Sequence, residues 1–200
     1  MVLCLMACIS FFACSEDDDA VEEFPDWRAT NETYFNNLYA SAQQRIAAGD
    51  ATWKILTCWS LEESVATNPE DHIIVHVLEN GNGTVCPLFT DSTNVAYSGR
   101  MLPSTSYPTG FVIDKSYDGD FHIETARARG FAISNSSLTP GFATALQYMH
   151  RGDRWEVYVP SALAYGSEGN SSAGIPGYST LIFDMTLVNF YHPDGTRVDD

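Results

Sequence analysis

The chain has 200 residues, 44% of them hydrophobic and 18% charged, enough apolar material to bury a core, which excludes disorder throughout. Its 26 acidic against 10 basic residues give a formal net charge of −16, which repels phosphate backbones and anionic bilayers and excludes nucleic acid as a natural partner. Past the N-terminus no stretch approaches the roughly 18 consecutive apolar residues that span a bilayer, so membrane attachment is expected only from the N-terminal end.

Residues 1–13, MVLCLMACISFFA, are almost purely apolar, too short to span and of the length of a signal-peptide core. The run stops at Phe12-Ala13-Cys14, which resembles a bacterial lipobox. That resemblance implies removal of 1–13, a diacylglycerol anchor on Cys14, and residence in the cell envelope as an outer-membrane lipoprotein. More than one acyl chain is needed for stable attachment. Residues 14–26, with the cluster Glu16-Asp17-Asp18-Asp19 followed by Glu22, Glu23 and Asp26, are too charged to pack and read as a solvated tether. A cysteine followed by acidic residues is also similar to the export tag that carries some lipoproteins to the outer cell surface. With Cys4 and Cys8 in the signal and Cys14 acylated, Cys58 and Cys86 remain. An oxidising compartment permits a disulfide, and two buried thiols are the alternative, because spacing does not place the Cα atoms within bridging distance.

Residues 27–71 read as an N-terminal helical extension. Phe35, Leu38, Ala42 and Ile46 recur at three- and four-residue spacing with Gly49 beyond the end, the pattern of an amphipathic helix capped by Thr30 or Asn31, with Trp27 in the entry turn. Trp53 to Trp59 is aromatic and branched enough for a strand, and Asn68-Pro69-Glu70-Asp71 marks a loop. The aromatic residues here are expected to be core and to pack the extension on the main body.

Residues 72–191 form that body, and 192–200 a C-terminal tail. HIIVHVLE (72–79) is a strand ending at Asn80-Gly81-Asn82-Gly83, and TNVAYSG (93–99) is another. After Thr139-Pro140-Gly141, Phe142, Ala145, Leu146 and Met149 share one face of a short helix that has Pro140 in its first turn and Gly152 past its end. Trp155–Val159 is a strand closed by Pro160, and residues 180–191, TLIFDMTLVNFY, form a long one. The pattern predicts an α+β fold, antiparallel strands crossed by one short helix.

In order along the chain stand VLENGNG, VAYSG, IDKS, PGFATALQYMHRGDRWEVYVP, SALAYGSEG, GIP and TLIFDMTLVNF. Read together they resemble the FKBP-type peptidyl-prolyl cis-trans isomerases, over about His72 to Tyr191. The most specific pieces are Leu163-Ala164-Tyr165-Gly166, Ile175-Pro176 and Leu181-Ile182-Phe183-Asp184. The resemblance implies an FKBP-like antiparallel sheet curled around a short α-helix, with a substrate pocket between them. It implies an isomerase that takes proline-containing polypeptides and uses neither metal nor organic cofactor. By motif position it assigns Tyr97, Phe121, Phe142, Tyr165, Ile175 and Phe183 to the proline pocket, with Phe142 as its floor and Leu138 as a wall. The Thr139 backbone N–H and the Tyr165 hydroxyl become donors to the peptide, and Asp114 the group that orders the pocket.

Such chemistry needs no acid, base or nucleophile. The barrier to rotation about an amide C–N bond, about 18–20 kcal/mol, arises from resonance, and a water-poor apolar cleft that fits the twisted amide lowers it. The chain departs from the family in having Phe142 in place of the usual Trp and Ile113 in place of the usual Phe before Asp114. Phe111, two residues earlier, is the nearest ring that could substitute for the latter. The segment from Lys115 to Ser137 is also longer than in minimal members. These departures predict weakened turnover and keep a second reading open, a catalytically weak surface lipoprotein that binds a peptide or another extended ligand. His72 and His76 share one strand face without a third ligand nearby, a poor metal set, and no nucleophile elbow, phosphate loop or dinucleotide fingerprint is present. Client identity and oligomeric state leave no mark in the sequence.

Overall fold

The computed structural model describes residues 21–198. The expected signal segment 1–13, the anchor Cys14 and most of the acidic tether lie outside the described residues. Two α-helices and seven strands follow in order: α1 (Trp27–Ala47), β1 (Trp53–Thr57), β2 (His72–Glu79), β3 (Ser92–Met101), β4 (Val112–Lys115), β5 (Arg129–Ala132), α2 (Pro140–Tyr148), β6 (Arg154–Val159) and β7 (Leu181–Tyr191). The strands form one sheet in the order β1-β2-β6-β7-β3-β4, with β5 beside β4 on the same edge of β3, and every pairing is antiparallel. Register shifts at Val77/Glu79, Gly99/Arg100 and Asn94/Val95 mark bulges, the device that bends a sheet around a helix. The fold is the expected curled antiparallel sheet around a short helix, with a helical extension at the N-terminus.

Both faces of the sheet are covered, which explains why its central strands do not alternate in burial. Ile73, Ile74 and Val75 of β2 are all buried, as are Leu181, Ile182 and Phe183 of β7. Ile74, Tyr158 and Ile182 stand in register on the outer face, where Tyr34 of α1 meets Tyr158 with ring centroids 6.5 Å apart. On the inner face, Val157 and Phe183 are paired and α2 packs across them. His72 and His76 belong to the outer face, against Tyr39 and stacked on Trp53 respectively.

Four expectations need correction. The helix α1 begins at Trp27, a turn before Thr30 and Asn31, with Asp26 at its N-cap and no side-chain cap bond. Asn31 is unavailable as a cap because its amide is used elsewhere: Nδ2 donates to the Trp27 carbonyl, and Oδ1 accepts from the buried Thr180 N–H at 2.7 Å. Ile46, placed on the apolar face by spacing, is exposed. The tether does not run free as far as residue 26. The Glu23 carboxylate accepts bonds from the Ser104 hydroxyl and the Ser106 N–H, the Thr105 hydroxyl donates to the Glu22 carbonyl, and Phe24 packs edge-on against Trp27. Charge there is satisfied by a polar turn rather than by water alone. Finally, β1 pairs along its whole length with β2, so the extension and the body share one sheet. Cys58 and Cys86 are both free thiols, Cys58 buried beside Ser60 and Cys86 half-buried.

Candidate active site

An apolar cavity of about 140 Å³ opens on the inner face between α2 and the β3–β4–β5 edge. A cavity of roughly 150 Å³ takes a benzene-sized ring, so this one suits a five-membered ring. Its base is Phe142 in the first turn of α2. That turn is fixed by Pro140, whose φ is preset for a helix start, and by the Thr139 hydroxyl, which accepts the Phe142 N–H at 3.4 Å. Around Phe142 stand Phe183 from β7 at 5.2 Å, Phe131 from β5 at 5.5 Å and Tyr97 from β3 at 5.6 Å between centroids, all edge-to-face. Gly99 makes room for this arrangement, because a Cβ there would lie 2.5 Å from Phe183 Cε1. Leu138 and Ile113 close the sides, and Tyr165 and Ser137 reach the mouth.

One polar cluster borders the cavity. The Tyr97 hydroxyl donates to Asp114 Oδ2 at 2.5 Å, and Arg129 Nη1 donates to both the Tyr97 oxygen (2.6 Å) and Asp114 Oδ2 (2.8 Å). The second Asp114 oxygen accepts the Lys115 N–H at 2.8 Å. Burial, reinforced by the bond to Asp114, pushes the Tyr97 hydroxyl well above the usual tyrosine range, so it stays protonated and fixed. Asp114 is thus an ordering group: its acceptor sites are taken up inside the protein. At the cavity's rim three donors make no hydrogen bond among the described residues, the Thr139 backbone N–H and the Tyr165 and Ser137 hydroxyls. An apolar cleft with free donors at its rim can take up a ring and hold carbonyl oxygens beside it.

The structure therefore brings Tyr97, Asp114, Leu138, Thr139, Phe142, Tyr165 and Phe183 to one cavity. It does not bring Phe121 there. Phe121 meets Tyr117 edge-to-face and lies under the Arg154 guanidinium, which is 4.2 Å from its ring centroid. Arg154 pairs with Asp184, and strand alternation puts Asp184 on the outer face, opposite Phe183. Phe121 is thus on the wrong side of the sheet, because the long segment after β4 crosses over before returning as β5. Ile175 is buried at 3% exposure and is not among the residues that line the cavity; its backbone forms a bridge with Asn170 that braces the loop beyond Tyr165. Phe111 packs on Tyr107 and supplies no ring to the pocket, and Ile113 itself lines it.

Sequence reasoning missed Phe131 and Arg129. The readable signal was the short apolar run Phe131-Ala132-Ile133 just upstream of the fixed run Leu138-Thr139-Pro140-Gly141-Phe142. Distance counted back from α2 locates the fourth ring, whereas distance counted forward from Asp114 is spoiled by the insertion.

Sheet, crossing helix and ring-lined cavity define a class of α+β domain that takes a small apolar ring between helix and sheet edge. The FKBP-type peptidyl-prolyl cis-trans isomerase family profile matches residues 87–188, and the chain belongs to that family. It is 32% identical over 119 residues to the FKBP-type 22 kDa peptidyl-prolyl cis-trans isomerase of Escherichia coli (strain K12), covering 60% of this chain and 50% of that protein. It is 33% identical over 114 residues to the peptidyl-prolyl cis-trans isomerase Mip of Coxiella burnetii, covering 56% and 42%. The chain thus spans about half the length of these relatives. Among solved structures, a peptidyl-prolyl cis-trans isomerase from Pseudomonas syringae pv. tomato superposes with a TM-score of 0.50 at 24% identity, covering 78% of this chain and 94% of that one. At that identity the likeness speaks for the fold alone.

Proposed function

We propose that the chain is a peptidyl-prolyl cis-trans isomerase that assists the folding of exported proteins, held to the envelope through Cys14 as an outer-membrane lipoprotein. The observation that carries the reading is the cavity itself, an aromatic box of pyrrolidine size with uncommitted donors at its rim. In this reading the proline ring enters over Phe142, between Phe183, Phe131 and Tyr97. Enclosure strips water from the carbonyl before the proline. Hydration favours the charge-separated planar amide, so its removal lowers the torsional barrier. The Thr139 N–H and the Tyr165 hydroxyl hold neighbouring carbonyls while the C–N bond twists, and no bond is made or broken.

The loss of an indole N–H at Phe142 removes one donor from the floor without opening it, which supports reduced rather than absent turnover. A protease-coupled assay on a short Xaa-Pro peptide tests the activity. The wild-type chain accelerates isomerisation, and the folded double variant Tyr165→Ala, Phe183→Ala loses most of that acceleration. Equal inertness of both proteins would favour the pocket as a binding module without catalysis. Attachment through Cys14 is supported by the apolar run that ends there. Among the described residues no helix is long and apolar enough to cross a membrane. Cys14→Ser should move the protein from the membrane to the soluble fraction, and protease shaving of intact cells reads out surface exposure.

A further inference from the structure

A second, wider cavity of about 440 Å³ is lined by Ser116, Arg127, Ala128, Arg129 and Gly130. It is back to back with the proline pocket. Arg129 is the shared wall, lining this cavity while bonding Tyr97 and Asp114 of the first. Ser116 ties the two together from the other side, accepting the Tyr97 N–H at its hydroxyl and donating its own N–H to the Tyr97 carbonyl. Register places Arg129 opposite Val95 and Phe131 opposite Thr93, on the same face of β5. Arg127 continues that two-residue spacing, so chain leaving the ring pocket over Phe131 and Arg129 runs toward Arg127.

The electrostatic setting of Arg127 is unusual for this molecule. In a chain of net charge −16, the other lysines and arginines of the described residues are engaged by a carboxylate, an aromatic ring or another group. Arg127 is exposed and has no ion pair among the described residues, although Asp118, Asp120 and Glu124 lie in the same segment. The guanidinium of Arg129 is already neutralised by Asp114. One uncompensated positive charge therefore faces a cavity that adjoins the substrate pocket. A guanidinium fork matches a carboxylate in shape and charge.

Resting on the isomerase reading, we infer that Arg127 and its cavity form a subsite for an acidic side chain of the substrate. The preferred clients carry Asp or Glu within a few residues of the isomerised proline. Arg127 is here a specificity determinant and has no part in the twisting of the amide.

The test uses the full chain and three peptides that share one Xaa-Pro core and carry Glu, Gln or Lys two or three residues from the proline, with exchange rates measured by NMR. At low ionic strength the Glu peptide should exceed the Lys peptide in kcat/KM by about two- to five-fold, the range of one exposed ion pair. The preference should fade in molar salt. Arg127→Glu should reverse the order of the Glu and Lys peptides, with an unfolding midpoint in urea equal to that of the wild type as the check on folding. Equal rates for the three peptides, or a Glu preference that survives Arg127→Glu, would overturn the subsite and leave the isomerase reading intact. Failure of the wild-type chain to turn over even the Gln peptide would instead bring down the reading on which the subsite rests.

Discussion

The two segments that flank the ring pocket are built on opposite plans. Residues 161–180, which carry Tyr165, are stitched to the body by buried bonds. The Trp27 indole donates to Ser179 Oγ at 2.9 Å, Ser179 Oγ donates to the Pro176 carbonyl at 2.7 Å, and the Thr180 N–H reaches Asn31. Within the loop the Tyr178 N–H meets the Gly166 carbonyl and the Gly166 N–H meets that of Ser161. Residues 116–128 are held instead by exposed or half-exposed contacts: the Lys115–Asp118 ion pair, the Tyr117–Phe121 ring contact and Arg154 over Phe121. Bonds shielded from water are worth more than those in it. The side that presents a free hydroxyl is therefore rigid, and the side that bears the free Arg127 is adaptable. The helix α1, remote from the cavity in sequence, acts as the brace of the rigid side.

Substitutions can break or sharpen this contrast. The largest effect is expected for Gly177→Ala, where the new Cβ would lie 1.9 Å from the Ser167 carbonyl oxygen. Backbone has to move, at a cost of about 3 kcal/mol, and thermal unfolding together with peptide turnover should both report it. Next comes Asn31→Ala, which strands the buried Thr180 N–H. A loss of about 2 kcal/mol in denaturant unfolding is expected, with a fall in kcat/KM because the Tyr165 loop loses its brace. Unchanged turnover in a folded Asn31→Ala protein would show that α1 is only a scaffold.

A pH series reports on the two half-buried hydroxyls, one on each face of the sheet, apart from both segments. The Tyr97 and Tyr158 hydroxyls are pushed up chiefly by burial and then by their carboxylate partners Asp114 and Glu156. A hydroxyl whose folded-state ionisation lies above its unfolded value contributes stability that is complete below about pH 10, the ordinary tyrosine value, and is lost as pH rises beyond it. Stability should thus decline above about pH 10 more steeply in the wild type than in Tyr97→Phe or Tyr158→Phe, as read by urea unfolding at several pH values. The smallest effects belong to the adaptable side. Phe121→Ala should leave peptide turnover unchanged, and Lys115→Ala should alter stability by less than about 0.5 kcal/mol. A large loss of activity in Phe121→Ala would return that ring to the pocket and refute its placement on the outer face.

What the sequence disclosed follows the same division. α2, β6 and β7 were legible because their periods are strong and their ends carry Pro140, Gly152 and Pro160. The rings Tyr97, Phe142 and Phe183 were found through motif order. β4 and β5 were not read as strands, because four-residue, largely exposed segments show no alternation, and their pairing to β3 is set by tertiary contact. The error at Phe121 has the same origin, since an insertion of variable path separates Asp114 from Phe131. Asn31 was misread for a different reason: a side chain that suits a helix cap was recruited by a partner 149 positions away.

If Cys14 is the anchor proposed above, the docking of Glu22 and Glu23 on residues 104–106 sets the length of its leash. With the chain pinned there, eight peptide units separate Glu22 from Cys14, a fully stretched reach of at most about 28 Å. For a body anchored as proposed, that is close to the roughly 30 Å depth of a bilayer's hydrocarbon layer. Its swing radius would confine it to polypeptides passing within a few nanometres of the lipid headgroups, a patrol zone rather than free diffusion through the compartment.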